Sequence, residues 1–144
     1  MSRYPLIHSM DLMFVPALDD ECTSSTIEAA SGIHDIASRY DVPILPSEKV
    51  GLAFIANLKA AQRSSLLIYG AQLEGAVTQL ALLSLLEGFD VFVIADHCQT
   101  VEPMFIDAFH ARLQQSGATL VTLSQISREL AWTSALTEEK LPAT

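Results

Sequence analysis

Three consecutive residues, Asp96, His97 and Cys98, bring a carboxylate, an imidazole and a thiol together in the sequence. These groups could form a nucleophilic site in which the histidine takes the proton of the thiol. Side chains that are neighbours in sequence rarely point at one another, so the arrangement is poor for such a pair. The pattern favours a structural role, in which Asp96 orders the chain after a strand by accepting backbone hydrogen bonds.

The other polar clusters have weaker signatures. The acidic run Asp19-Asp20-Glu21 could bind a cation, but it is more typical of a solvated loop that also favours the start of the next helix. Gly70 and Gly75 lack the spacing of a phosphate-binding loop. The histidines lack the helical i, i+4 spacing of metal ligands; they are His8, His34, His97 and His110. We therefore expect no metal ion and no cofactor.

The composition limits the class of function. The chain has 144 residues, 50% hydrophobic and 17% charged, which indicates a folded domain rather than a disordered chain. Its net charge of −9 argues against binding to nucleic acid or to an anionic membrane surface. No apolar stretch is long enough to span a membrane, and residues 1–10 do not resemble a signal peptide. Two cysteines form no disulfide framework, so we expect a reduced, cytoplasmic setting.

Short apolar runs alternate with longer amphipathic stretches. We predict extended segments at 5–10, 42–45, 65–69, 90–95 and 119–123, helices at 23–40, 52–62, 74–87, 101–115 and 124–136, and a loop at 12–18 that Pro16 interrupts. This alternation predicts one α/β domain over residues 1–144. Its three-layer, Rossmann-like fold should have about five parallel strands with helices on both faces. The site is expected outside the carboxyl ends of the strands.

The segment 66–100 carries a strand, a glycine turn, a buried apolar helix, a G-F-x-V strand and an A-D pair. In this order the elements resemble the isochorismatase-like cysteine hydrolases, and the matching residues are Gly70, Val77, Gly88, Phe89, Val91, Ala95 and Asp96. The stretch H-S-M-D-L-M-F-V-P is similar more weakly to the first strand of the family, with Phe14 and Pro16 in register. V-P-I-L at 42–45 looks like the second strand.

The resemblance implies a catalytic carboxylate, lysine and cysteine, and two of these positions are changed. The cysteine corresponds to Ala76, which offers no nucleophile, although true isochorismatases in the family also lack this cysteine and use the aspartate as an acid. The aspartate corresponds to Ser9, counted back from Phe14. Asp11 could replace it only if the register slipped by two residues.

The lysine of the family lies on a strand for which the interval 45–65 has no room. Lys49 follows the second strand and could approach the crevice, whereas Lys59 is expected on a solvated helix face. Loss of that strand leaves the order 2-1-3-4-5, with the crevice still between the first and third strands.

These losses predict a degenerate, non-catalytic member of the family that binds a small molecule or a partner. The expected pocket consists of Ser9, Asp11, Gln72, Leu73, Ala76 and His97. The alternative is a divergent hydrolase of an amide or vinyl ether, with Asp11, Lys49 or Cys98 recruited. The apolar segment 80–86 predicts an oligomer interface, either with copies of this chain or with an active family paralogue.

Overall fold

The computed structural model describes residues 9–18, 24–45 and 52–140. The strands are β1 (Leu12–Leu18), β2 (Ser65–Ala71), β3 (Asp90–Gln99) and β4 (Thr119–Val121). The helices are α1 (Ser24–Tyr40), α2 (Leu52–Ala60), α3 (Thr78–Leu86), α4 (Ile106–Ser116) and α5 (Leu123–Lys140). Single 3₁₀ turns lie at Ser9–Asp11 and Pro103–Phe105, and a π-helical turn at Leu73–Val77 runs directly into α3.

The strands form one parallel sheet in the order β1-β2-β3-β4. The predicted α/β class and parallel sheet are confirmed, with four strands among the described residues instead of five. The predicted strand at 42–45 is reduced to a single bridge, in which Ile44 pairs with Phe14 of β1. This bridge lies on the outer side of β1, where the order 2-1-3-4-5 places the second strand.

The prediction of a loop at 12–18 is wrong, because these residues form β1. A proline usually interrupts a strand, but the position of Pro16 explains why β1 accepts it. The amide of Phe14 donates outward to the carbonyl oxygen of Pro43, 2.9 Å away. Pro16, two residues further on, faces the same outer side, so β2 loses no hydrogen bond to its missing N–H. The missing N–H of Pro16 also removes the next donor that β1 would offer to the 42–45 segment.

Alternation along the strands divides the core between the two faces of the sheet. Met13, Val15 and Ala17 of β1 face a buried cluster that includes side chains of α2, α3 and α4. Leu12 and Phe14 face the opposite cluster, with side chains of α1 and α5. The predicted helices on both faces are thus confirmed.

Helix α3 differs from its sequence-based prediction. The segment 80–86 was expected to be buried on most sides, and Leu80, Ala81 and Ser84 are indeed buried. Leu86 is 83% exposed, however. The sheet cannot cover the outer face of this apolar helix within one chain. In the described part of the chain, no helix is both long and apolar enough to cross a membrane.

Candidate functional site at the carboxyl edge of the sheet

Three strands come together at Gly70, near the carboxyl edge of the sheet. Gly70 pairs with Ala17 of β1 on one side and with Cys98 of β3 on the other. Its φ is +133°, and a Cβ built there would lie 2.2 Å from the carbonyl oxygen of Ala17. Only glycine fits so close an approach of two backbones. The edge where the site is expected is therefore tightly packed around β2.

The chain leaves β2 through the π-helical turn Leu73–Val77. The carbonyl oxygen of Gln72 accepts hydrogen bonds from the amides of Gly75 and Val77, at 3.1 and 3.0 Å. The second bond spans five residues and defines the π geometry, which is frequent at functional sites. Ala76 lies in this turn, half-buried against the core on the side of α3.

Glu74 ties this turn to the end of β3. One carboxylate oxygen, Oε2, accepts a hydrogen bond from the Thr100 hydroxyl at 2.5 Å. The hydroxyl oxygen of Thr100 in turn accepts from the amide of Glu102 at 3.1 Å. The other oxygen of Glu74, Oε1, is buried and has no hydrogen-bond partner in the described part of the chain. Glu74 thus holds the turn against Thr100 through Oε2, while its Oε1 is available to accept a hydrogen bond.

Asp96 and His97 lie in an irregular part of β3, not after the strand as the sequence predicted. Between the pairs Ile68–Val93 and Gly70–Cys98, β3 has several extra residues opposite Tyr69 alone. Such bulges re-aim side chains near sites. Here the Asp96 carboxylate accepts a hydrogen bond from the amide of Leu123 at 3.0 Å, at the start of α5. Asp96 thus accepts a backbone hydrogen bond as predicted, but the donor lies 27 residues further along the chain and not in the segment that follows the strand.

The thiol of Cys98 is held in its protonated, weakly nucleophilic form. Burial raises its pKa to about 12; a hydrogen bond with the Gly70 backbone opposes this effect, and the charge of nearby Asp96 adds to it. The thiol donates a hydrogen bond to the carbonyl oxygen of Ile94 at 3.3 Å. His97 Nδ1 lies 3.3 Å from the Asp96 carboxylate and makes no hydrogen bond within the described residues. Among the described residues the Cys98 thiol therefore donates to Ile94 and not to His97, whose Nδ1 makes no hydrogen bond.

The expected pocket is only partly assembled. Gln72, Leu73 and Ala76 are together in the turn, and His97 lies near the carboxyl end of β3. Ser9 and Asp11 precede β1 and therefore lie at the amino edge of the sheet. Seven strand residues, about 23 Å, separate the two edges. Asp11 cannot act beside Ala76, so this route to a divergent hydrolase is closed.

The correction to β1 also changes the position of the family acid. The family pattern puts its carboxylate where the first strand ends. The first strand of this chain ends at Leu18. Phe14 lies inside that strand and not beyond its end, so counting back from Phe14 put the acid position at Ser9, before the strand. Asp19 and Asp20 follow Leu18 in the sequence and lie outside the described residues. The sequence did contain this signal, but it was interpreted as a solvated run.

The two lysines of the shortened interval have different outcomes. Lys49 lies outside the described residues. Lys59 on α2 forms an ion pair with Glu87 at 2.5 Å, with both side chains substantially exposed. Lys59 therefore lies on a solvated surface, as predicted. Within the described ranges, no group of three acidic, histidine or cysteine side chains could hold a metal ion.

Comparison with known proteins decides the family. The model of the isochorismatase domain matches residues 49–125, more than half of the chain, including the π-helical turn and β3. The chain belongs to the isochorismatase family. The resemblance predicted from segment 66–100 is thereby confirmed.

Among its relatives is the probable hydrolase YcaC of Escherichia coli (strain K12). The two are 36% identical over 77 residues, which is 54% of this chain and 37% of that protein. In that match the chain spans little more than a third of the relative's length.

Solved structures of this isochorismatase-family fold cover nearly the whole chain. YcaC from Pseudomonas aeruginosa, described with hexane-2,5-diol and covalent acrylamide, matches with a TM-score of 0.74 at 21% identity, over 99% of this chain and 95% of that one. The Escherichia coli YcaC structure, described as an octameric hydrolase of unknown specificity, matches with a TM-score of 0.73 at 20% identity, over 95% and 88%. At such identities the likeness establishes the fold.

Proposed function

We propose that this isochorismatase-family chain does not perform thiol-based hydrolysis and acts by binding, as a homo-oligomer. The observation that carries the proposal is Ala76, which lies in the turn before α3 where the resemblance places the nucleophilic cysteine. A methyl group can neither attack a carbonyl carbon nor exchange a proton.

The described residues around this turn do not replace the thiol. Cys98 holds its proton because burial raises its pKa to about 12, so its thiolate is scarce at neutral pH. Glu74 is already engaged with Thr100 through one oxygen. Lys59 pairs with Glu87 on the surface. The carboxyl edge of the sheet therefore has a π-helical turn and the hydrogen-bond acceptors of Glu74, which suit the binding of a ligand better than covalent catalysis.

Acrylamide provides a direct test, since it adds to reactive thiols. We expect no adduct on a Cys22→Ser chain at pH 7.5, measured by intact-protein mass spectrometry, because its remaining thiol, the half-buried Cys98, has a raised pKa. Adding Ala76→Cys to the same background should produce one adduct per chain at a rate at least tenfold above that background. Prompt modification of the Cys22→Ser protein itself would contradict the proposal.

One observation favours a second function, acid-catalysed hydrolysis without a thiol. Because β1 ends at Leu18, the acids next in sequence are Asp19 and Asp20, at the position where the family pattern has its carboxylate. The family includes enzymes that use the aspartate without the cysteine. A vinyl ether or an amide would be the substrate class, and protonation by the carboxylic acid would be the decisive step.

The homo-oligomer is proposed on the outer face of α3. Leu82, Leu85 and Leu86 line a groove of about 430 Å³ between α3 and α4, together with Arg112 and Ser116. Leu86 is largely exposed in the single chain, and a second copy would cover it. The octameric state described for the Escherichia coli YcaC structure supports assembly through this fold. A reduced cytoplasmic setting remains our expectation.

Leu86→Glu should therefore lower the molar mass in solution to that of a single chain, or to a smaller assembly. Light scattering after size-exclusion chromatography at about 50 μM measures this. Gln79→Glu is the matched control, because it places the same charge on an exposed position of α3 outside the groove. A monomeric wild-type chain, or an unchanged mass for Leu86→Glu, would contradict the interface. Assembly only with a co-expressed paralogue would favour the heteromeric alternative.

A further inference from the structure

A second cavity lies on the opposite face of the sheet from Ala76. It has a volume of about 600 Å³ and opens between the C-terminal half of α1, the 42–45 segment and the strands β1 and β2. Tyr69 of β2 lines it and belongs to the core cluster of α1 and α5. Ala76 packs against the other cluster. The cavity is therefore separate from the turn that contains Ala76, the position of the family's cysteine.

The cavity follows from the geometry of β1. The 42–45 segment pairs with β1 only through Phe14, where the amide of Leu45 donates to the Phe14 carbonyl oxygen at 3.0 Å. Pro16 lines the cavity and has no N–H with which to continue the pairing. The cavity lies beside β1 on the side of α1, next to the point where the described pairing with the 42–45 segment ends.

Tyr69 supplies an unused polar group in this space. Its side chain is only 5% exposed, and its ring is fixed by an edge-to-face contact with Phe14 at 6.5 Å. The hydroxyl makes no hydrogen bond within the part of the chain that the structure describes. Burial raises the pKa of Tyr69 from its ordinary value of 10.0 to about 12, so the phenol stays protonated, and able to donate, well above neutral pH. The hydroxyl is not one of the buried polar atoms that lack a partner, so a ligand acceptor would replace water at this donor.

The remaining lining defines the chemistry of the ligand. Ala37, Val42 and Ile44 provide apolar contact surface. His34 and Ser38 lie one helical turn apart at the rim, together with Asp41. Asp41 adopts a left-handed backbone conformation, with φ of 58°, which ends α1 at the mouth of the cavity. Its carboxylate and the net charge of −9 disfavour an anionic ligand.

We propose that this cavity binds a small neutral carbonyl compound, whose apolar body packs on Ala37 and Ile44 and whose oxygen accepts a hydrogen bond from the Tyr69 hydroxyl. The inference deepens the proposed binding function and rests on it. Its test is separate from acrylamide labelling and turnover: turnover would overturn the proposed function and leave this cavity intact, whereas failure to bind would overturn only the present inference.

Three probes of similar shape test the proposal. Acetophenone has the carbonyl acceptor, ethylbenzene lacks it, and benzoate replaces it with a negative charge. Amide chemical shifts in solution should move for Ala37, Asp41 and Val42 on addition of acetophenone, with a Kd on the order of 1 mM for so small a ligand. Ethylbenzene should bind roughly three- to tenfold more weakly, and benzoate more weakly still. Shifts confined to the groove at Leu82–Leu86, or equal affinity for all three probes, would overturn the proposal.

Variants locate the contact. Tyr69→Phe should weaken acetophenone binding to the level of ethylbenzene and leave ethylbenzene unchanged. Tyr40→Phe is the control, because Tyr40 is a half-buried tyrosine of α1 that does not line the cavity. If Tyr69→Phe does not fold, Ser38→Trp should block the rim from an exposed position, with Arg39→Trp as its exposed neighbour outside the lining. Acetophenone binding that survives Tyr69→Phe or Ser38→Trp unchanged would overturn the proposal.

Discussion

Gly70→Ala should lower the free energy of unfolding by about 4 kcal/mol. Two costs combine at this position. The backbone φ of +133° strains any residue that carries a Cβ, at about 1–3 kcal/mol. The new Cβ would also lie 2.2 Å from the carbonyl oxygen of Ala17, so β1 and β2 would have to separate at their carboxyl ends, at about 1–3 kcal/mol more. Urea denaturation followed by circular dichroism measures the loss.

Gly88→Ala provides the matched control. Gly88 also has a positive φ, of +90°, but a Cβ there meets nothing within 4 Å. Its loss should be about 1 kcal/mol, from conformation alone. The difference between the two variants isolates the close approach of β1 and β2. If Gly70→Ala cost no more than Gly88→Ala, that approach would not exist in solution, and the packed carboxyl edge described above would be wrong.

Alkaline pH should destabilise the chain through Cys98 and Tyr69. Burial raises the pKa of Cys98 from 9.0 to about 12 and that of Tyr69 from 10.0 to about 12. Below pH 9 both groups are protonated in the folded and the unfolded chain, so the full stability is present. Between pH 9 and 12 the unfolded chain releases these protons and the folded chain keeps them, so stability falls as pH rises. The loss from pH 8 to pH 11 should be about 4 kcal/mol.

Cys98→Ala separates the thiol from all other titrating groups. In a Cys22→Ser background, in which Cys98 is the only thiol, the drop in unfolding free energy from pH 8 to pH 11 should shrink by about 3 kcal/mol when Cys98 is replaced. Urea denaturation at pH 8, 9, 10 and 11 gives the comparison. Parallel pH profiles for the two proteins would show that the Cys98 thiol is not held in its protonated form by the fold.

The sequence predicts most of the fold because its periodicity reports local structure. The helix predicted at 23–40 is observed as Ser24–Tyr40, and the strand at 65–69 as Ser65–Ala71. The error at 12–18 has a physical origin. Proline is a poor strand residue only where its missing N–H would pair, and Pro16 faces the outer edge of β1. Whether the backbone N–H of a residue faces the neighbouring strand or the outer edge depends on how the strands pair, and the local sequence does not determine this.

The site was less predictable than the fold, because it depends on which strand ends meet. Ala76 and Gln72 lie in the turn after β2, where the resemblance puts them, and their role there stays a prediction. The assignment of the family's acid to Ser9 was wrong because the first strand extends to Leu18. Ser9 lies at the amino edge of the sheet, whereas the acid position lies at the carboxyl edge. Glu74 was missed, because nothing in its local sequence indicates the long-range contact with Thr100. The cavity at Tyr69 was missed because several elements build it.

A turnover assay tests the central claim most directly. Simple amides and vinyl ethers should be incubated with the wild-type chain at high concentration, and with Asp19→Asn and Asp20→Asn as variants of the acid position. We expect the wild-type rate to equal the buffer rate and the two variants to be indistinguishable from it. Ala76 excludes the thiol route, which leaves a carboxylic acid at Asp19 or Asp20 as the route that this assay must exclude. Turnover of any of these substrates that Asp19→Asn or Asp20→Asn abolishes would contradict the account and establish an acid-dependent hydrolase instead.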